Sequence, residues 1–98
     1  MTLNKNLDGT TLTIEIIGRL DTTSSTQLET EIKASISDIE RLILDFAKVE
    51  YISSAGLRVL LKSQKLMGRT GRMILVNVSE TIKEVFELTG FMDYMTIE

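Results

Sequence analysis

Cysteine, histidine, proline and tryptophan are all absent from this chain of 98 residues. Without cysteine and histidine there is no disulfide, thiolate nucleophile, imidazole base or Cys/His metal site, so we expect no metal and no cofactor. The charge is also modest: 11 Lys and Arg against 14 Asp and Glu leave a net charge of -3. Because the basic residues are scattered and form no stripe, the composition argues against direct binding of nucleic acid.

Long apolar runs are missing as well. No run approaches the length of a membrane span, and the first twenty residues lack a basic-then-apolar signal pattern. We therefore expect a cytoplasmic protein with no membrane segment, a monomer when free. A hydrophobic fraction of 43% with 26% charged residues is ordinary for a globular protein. A chain of this length fits one domain, which we place at 1–98.

The hydrophobic pattern predicts strands that alternate with helices. Leu12, Ile14 and Ile16 alternate with polar residues, as in a half-buried strand, and a turn at Asp8-Gly9 precedes them. The predicted strands are 1–7, 11–17, 41–46 and 73–76, with a short fifth one at 94–97, and the predicted helices are 22–38, 54–69 and 79–88. This order predicts an α/β domain with a mixed, largely parallel sheet of four to five strands and three to four helices.

Four residues are predicted to mark helix ends. Thr26 and Glu29 have the spacing of a capping box in the first helix. Gly71 lies just past the second predicted helix, where glycine commonly ends a helix by adopting the left-handed conformation. Gly90 is predicted to end the third helix.

The most informative segment is 42–61, where an apolar strand leads into a pair of serines and then an amphipathic helix. Ser53 or Ser54 is the natural N-cap of that helix. A serine there stands at the positive end of the helix dipole, which accepts a phosphate readily. The segment is thus predicted to display a hydroxyl at the surface.

Two loops follow the carboxyl ends of predicted strands, at 20–25 and 48–56. Binding surfaces of such sheets gather at this edge, so Asp21 and Ser54 share one patch if their parent strands are neighbours. Asp45 ends a buried strand and is interpreted as a hydrogen-bond acceptor that organises the loop. Gly56 is interpreted as a site of close packing between helix and sheet.

At these residues the chain resembles the STAS domain family, and within it the stand-alone bacterial anti-sigma factor antagonists. Four motifs carry the resemblance, in order: Gly18-Arg19-Leu20-Asp21, Leu42-Ile43-Leu44-Asp45, Tyr51-Ile52-Ser53-Ser54-Ala55-Gly56-Leu57, and Val85-Phe86-Glu87-Leu88-Thr89-Gly90-Phe91. Each motif alone is weak, but the ordered set is specific and spans nearly the whole chain.

The resemblance implies a phosphorylation switch. In the family, an anti-sigma factor that is also a serine kinase phosphorylates the serine two positions before the Gly-Leu pair, here Ser54. The unphosphorylated form binds that kinase and frees a sigma factor, and a serine phosphatase restores binding. Family members often carry Asp immediately before this serine where this chain has Ser53, so Ser53 stays open as an alternative site. The residues expected to contact the partner are Asp21, Thr22, Ser53, Ser54, Gly56 and Leu57.

Two other functions remain open at this point. One is a STAS regulatory subunit of a transporter or a signalling assembly, which belongs to the same class of binding modules. The other is a hydrolase that uses Ser53 or Ser54 as its nucleophile. The hydrolase lacks a histidine base and a G-x-S-x-G elbow, so we expect the protein not to be an enzyme.

Overall fold

The computed structural model describes residues 1–68 and 72–98. The strands are β1 (Thr2–Asp8), β2 (Thr11–Leu20), β3 (Arg41–Ile52) and β4 (Arg72–Val76), and the helices are α1 (Thr22–Ser35), α2 (Ser54–Met67) and α3 (Glu80–Thr89). Short 3-10 turns follow α1 at Ile36–Asp38 and α3 at Phe91–Asp93. Gly71, predicted to terminate the second helix, lies outside the described residues.

The four strands form one mixed sheet in the order β1-β2-β3-β4. β1 and β2 pair antiparallel, and the predicted turn connects them. Gly9 in this turn has φ +62°. β2, β3 and β4 run parallel, with α1 and α2 as the connections between them. The α/β class and the mixed, largely parallel sheet predicted from the sequence are therefore confirmed.

The core lies mainly between this sheet and the helices. Leu12, Ile14 and Ile16 are buried, as their alternation predicts. Phe46 of β3 meets Phe86 of α3 edge to face, with ring centroids 6.4 Å apart. Other apolar side chains with less than 2% exposure are Leu20, Leu28, Ile32, Leu42, Leu44, Leu60, Met67, Met73 and Leu75.

β3 is longer than predicted because two irregularities break its alternation. Between the pairs Glu15–Asp45 and Ile17–Lys48, β2 advances by two residues and β3 by three. A second extra residue of β3 follows, between the partners of Gly18 and Arg19. Each extra residue is a bulge that moves the following side chains to the other face, so the pattern stops looking like a strand after Phe46.

Asp45 stabilises the first irregularity. Its Oδ1 accepts hydrogen bonds from the Ala47 backbone N–H and the Asn77 side-chain amide, both at 3.0 Å. Its predicted role as a hydrogen-bond acceptor is therefore confirmed, although Asp45 lies inside β3 and not at the end of the strand.

Two further expectations differ from the structure. The N-cap of α1 is Asp21, five residues before Thr26, so the predicted Thr26–Glu29 capping box is wrong. The fifth strand at 94–97 is reduced to a single parallel bridge between Leu75 and Ile97, so the sheet has four strands in the described residues. Within residues 1–68 and 72–98, no helix is long and apolar enough to cross a membrane.

Gly56 allows the start of α2 to approach the sheet closely. A Cβ atom added at Gly56 would lie 2.8 Å from Cγ1 of Ile52 and 3.2 Å from both Cβ and the carbonyl oxygen of Leu20. Real Cβ atoms essentially never approach a neighbour this closely, which supports the predicted packing role.

We expect Gly56→Ala to destabilise the fold by about 1–3 kcal/mol, the usual cost of overpacking. Gly68→Ala is the matched control, since Gly68 already has helical backbone angles and, among the described residues, a new Cβ there meets only carbonyl oxygens of its own helix. This control should match or slightly exceed wild type in chemical denaturation. Equal stability of the two variants would show that the close approach at Gly56 is easily relieved.

Candidate functional site at the starts of the first two helices

The carboxyl ends of β2 and β3 bring the two sequence-predicted loops together. Leu20 and Ile52, the last residues of these strands, are partners in the parallel ladder, and the Ser53 N–H donates to the Leu20 carbonyl oxygen at 2.8 Å. Adjacent strands lie about 4.8 Å apart. Asp21 and Ser53 are therefore side by side, each immediately before a helix, so the two loops are adjacent, as they must be if Asp21 and Ser54 share one patch.

The structure distinguishes the two serines that the sequence left equivalent. Ser53 is the N-cap of α2, and its Oγ accepts a hydrogen bond from the Gly56 N–H at 3.2 Å. Ser54 is the first residue of the helix and is exposed. Its hydroxyl forms no hydrogen bond with any described residue, so a group added there disturbs no existing interaction.

The start of α2 also offers unused donors. Among the described residues, no hydrogen bond uses the backbone N–H groups of Ser54 and Ala55. The first turn of α2 contains no acidic side chain. Such a helix start favours a negative charge, because the amides and the helix dipole both point toward it.

Asp21 caps α1 through a reciprocal capping box with Ser24. The Asp21 carboxylate accepts from the Ser24 N–H, and the Ser24 hydroxyl oxygen accepts from the Asp21 N–H, both at 2.9 Å. Sequence reasoning missed this box because serine replaces the usual Glu or Gln at the third helical position. The signal in the sequence was the Asp-x-x-Ser spacing immediately after β2.

Asp21 is ionised at neutral pH. The hydrogen bond from the Ser24 backbone N–H lowers the pKa of Asp21 below 3.8, and the Ser24 hydroxyl and Arg19 act in the same direction. Because the folded pKa is below the unfolded one, the carboxylate stabilises the fold above pH 3.8. That stabilisation is lost as the pH falls through the folded pKa.

The other residues expected at a partner interface differ in exposure. Thr22, the first residue of α1, is exposed beside Asp21. Gly56 is buried and Leu57 is only 6% exposed, so both pack beneath this surface. Their direct contact with a partner stays a prediction, whereas Asp21, Thr22 and Ser54 have side chains at the surface.

Two side chains near the patch were quoted in the sequence motifs without being assigned a role. Arg19 and Tyr51 are partners in the β2–β3 ladder, and the Arg19 guanidinium carbon lies 4.3 Å from the centre of the Tyr51 ring. Tyr51 is 41% exposed. Arginine and tyrosine are enriched among residues that dominate binding energy, so a contribution of this cation–π pair to partner binding is a prediction.

The sequence that forms this site matches the model of a known protein family. The model of the STAS domain matches residues 2–98. The chain belongs to the STAS domain family. The match includes all four motifs and every residue of the site, so the resemblance read from the sequence is confirmed.

Curated relatives have names that refer to sigma factor regulation. BtrV of Bordetella bronchiseptica, described as a candidate anti-sigma factor antagonist, is 37% identical over 82 residues, which is 82% of this chain and 71% of that protein. The anti-sigma F factor antagonist of Lysinibacillus sphaericus is 28% identical over 88 residues, covering 87% of this chain and 75% of the relative.

Solved structures share the fold. The anti-sigma factor antagonist SpoIIAA of Bacillus in its unphosphorylated form superposes with a TM-score of 0.84 at 24% identity, covering 99% of this chain and 88% of SpoIIAA. The phosphorylated form of SpoIIAA superposes with a TM-score of 0.78 at the same identity, covering 99% of this chain and 91% of SpoIIAA. At this identity the likeness establishes the fold alone.

Proposed function

We propose that this STAS protein is an anti-sigma factor antagonist controlled by phosphorylation at Ser54. In the unphosphorylated form it binds an anti-sigma factor that is also a serine kinase, and this binding frees a sigma factor. The kinase phosphorylates Ser54 and thereby ends the binding, and a serine phosphatase reverses the modification. The protein acts as a binding module in the cytoplasm and catalyses nothing itself.

The observation that carries the proposal is the difference between two adjacent serines. Ser53 is part-buried and its oxygen is engaged by the Gly56 N–H, whereas Ser54 is exposed at the first position of α2. A kinase needs an accessible hydroxyl, and Ser54 supplies one. This favours Ser54 over Ser53 as the phosphorylated residue.

The proposed switch is local and electrostatic. A phosphate adds about -1.5 to -2 charges near neutral pH. At Ser54 it stands at a helix start that tolerates negative charge, so the fold is retained. It also stands on the patch that contains ionised Asp21. A partner that docks over both groups must cover an excess of negative charge, which weakens binding without any refolding.

The experiment that tests the proposal is capture of the partner from the organism that encodes the protein. Unphosphorylated protein on a support should retain an ATPase with serine kinase activity, and that partner should transfer phosphate from ATP to Ser54, as mapped by mass spectrometry. Protein already phosphorylated at Ser54 should retain much less of it. Retention of a transporter, with no phosphate transfer to either serine, would favour the other STAS function.

Asp21→Asn separates capping from partner contact. We expect the melting temperature to stay nearly unchanged, because Asn is also a good N-cap. Affinity for the kinase should fall roughly tenfold, the scale of one charge-assisted hydrogen bond at an interface. Calorimetric titration with the kinase measures this, with phosphorylation timed in parallel. If both affinity and phosphorylation rate equal those of wild type, Asp21 serves only the helix.

A further inference from the structure

The second turn of α2 begins with a basic residue, Arg58, that has no role in the switch proposed above. Arg58 lies four residues after Ser54, and both are exposed. Residues at this spacing are neighbours on a helix surface, with Cβ atoms about 5–6 Å apart. Long helical side chains generally lean toward the helix N-terminus, which for Arg58 is the direction of Ser54.

Arg58 borders a small groove between α1 and α2. Its lining includes Thr22, Ser25, Glu29, Ala55, Arg58 and Lys62. Ser25 is 1% exposed, and its hydroxyl has no hydrogen-bond partner in the described part of the chain. The groove beside Ser54 thus contains a buried hydroxyl group that forms no hydrogen bond with any described residue.

The two cations of the groove differ in how they are engaged. Lys62 is 3.4 Å from a carboxylate oxygen of Glu29, which Lys33 also approaches at 3.4 Å. Arg58 has no carboxylate within 4.0 Å among residues 1–68 and 72–98. Of the two, Arg58 is the cation whose charge the described residues do not compensate.

The surrounding charges direct an anion on Ser54 toward Arg58. Ionised Asp21 repels it from the α1 side of the patch, and the Glu29 charge is taken up by two lysines. Every charged residue of α2 is a cation. A guanidinium also matches the geometry of a phosphate with two parallel hydrogen bonds, which an ammonium does not.

We propose that Arg58 binds the phosphate of phosphoserine 54 within the same molecule. This inference rests on the proposed phosphorylation of Ser54 and adds the residue that holds the modified group. Arg58 fixes the phosphate over the mouth of the groove, in the middle of the patch. The pairing also withdraws the Arg58 charge from any acidic group of the partner, so phosphorylation removes an attraction as well as adding a repulsion.

The test uses full-length protein with phosphoserine introduced at position 54 during synthesis, so that no kinase is needed. Phosphorus NMR follows the second ionisation of the phosphate with pH. A nearby guanidinium favours the dianion, so we expect the transition to move up by about half a pH unit in Arg58→Gln, a shift typical of losing one exposed ion pair. Lys62→Gln is the matched control and should titrate like wild type.

One additional variant distinguishes loss of the ion pair from loss of folding. Arg58→Lys retains the positive charge but cannot form the two parallel hydrogen bonds of a guanidinium. The second ionisation of the phosphate should therefore shift by an intermediate amount, which loss of folding would not produce. Identical titration of wild type and Arg58→Gln overturns the inference, as does an equal shift in Lys62→Gln. Because phosphoserine is built in, these outcomes are independent of whether a kinase phosphorylates Ser54, and so failure of the proposed function is detected separately.

Discussion

Replacing Ser54 with alanine is expected to abolish phosphate incorporation by the partner kinase while leaving partner binding intact. Ser54 is exposed and its hydroxyl forms no hydrogen bond with any described residue. The free energy of unfolding should therefore change by no more than about 0.5 kcal/mol. The measurement is the amount of phosphate transferred per protein, together with calorimetric titration against the kinase. The variant should bind as wild type does and stay bound in the presence of ATP.

Ser53→Ala is the matched control for this experiment. It removes the hydroxyl that accepts a hydrogen bond from the Gly56 N–H. The free energy of unfolding should therefore fall by about 1 kcal/mol, as it does on loss of an N-cap. Phosphate transfer to Ser54 should persist in the folded fraction. Transfer that survives in Ser54→Ala and disappears in Ser53→Ala would move the modified site to Ser53.

A carboxylate at position 54 should mimic the phosphorylated state. We expect Ser54→Asp to keep a melting temperature near that of wild type, because an acidic side chain in the first turn interacts favourably with the helix dipole. Affinity for the anti-sigma partner should fall by about two orders of magnitude, which corresponds to a few kcal/mol lost at the centre of the interface. Calorimetry or surface plasmon resonance measures the affinity.

Ser53→Asp places the same charge one residue earlier and is the control for Ser54→Asp. Aspartate caps a helix as well as serine does, so its carboxylate should accept the hydrogen bond from the Gly56 N–H and lie against the start of α2. This variant should lose much less affinity than Ser54→Asp. Equal losses would mean that any negative charge near the patch suffices, and tight binding by Ser54→Asp would remove the proposed repulsion.

The fold could be predicted largely because β2 and β4 have simple patterns. The alternation of Leu12, Ile14 and Ile16 marks a strand covered on one face. The continuous apolar run of β4 marks a strand that is buried on both faces. β3 could not be bounded in this way. Its two bulges place Ala47 and Lys48, and later Glu50 and Tyr51, together on the exposed side, which breaks the period of two.

The site could be predicted in outline but not in detail. Parallel strands end at the same edge, so the proximity of Asp21 and Ser54 follows once β2 and β3 are neighbours. The capping serine could not be chosen, because Ser53 and Ser54 fit that role equally well in the sequence. The groove beside Arg58 depends on where α1 packs against α2, and no local pattern carries that information.

The central claim is that phosphate at Ser54 alone decides whether the anti-sigma partner binds. The most direct measurement is calorimetric titration of the purified partner with two preparations, one unphosphorylated and one carrying a single phosphate at Ser54. The account predicts tight one-to-one binding of the first and at least roughly 100-fold weaker binding of the second, with matching melting temperatures. Equal affinity of the two preparations would contradict it.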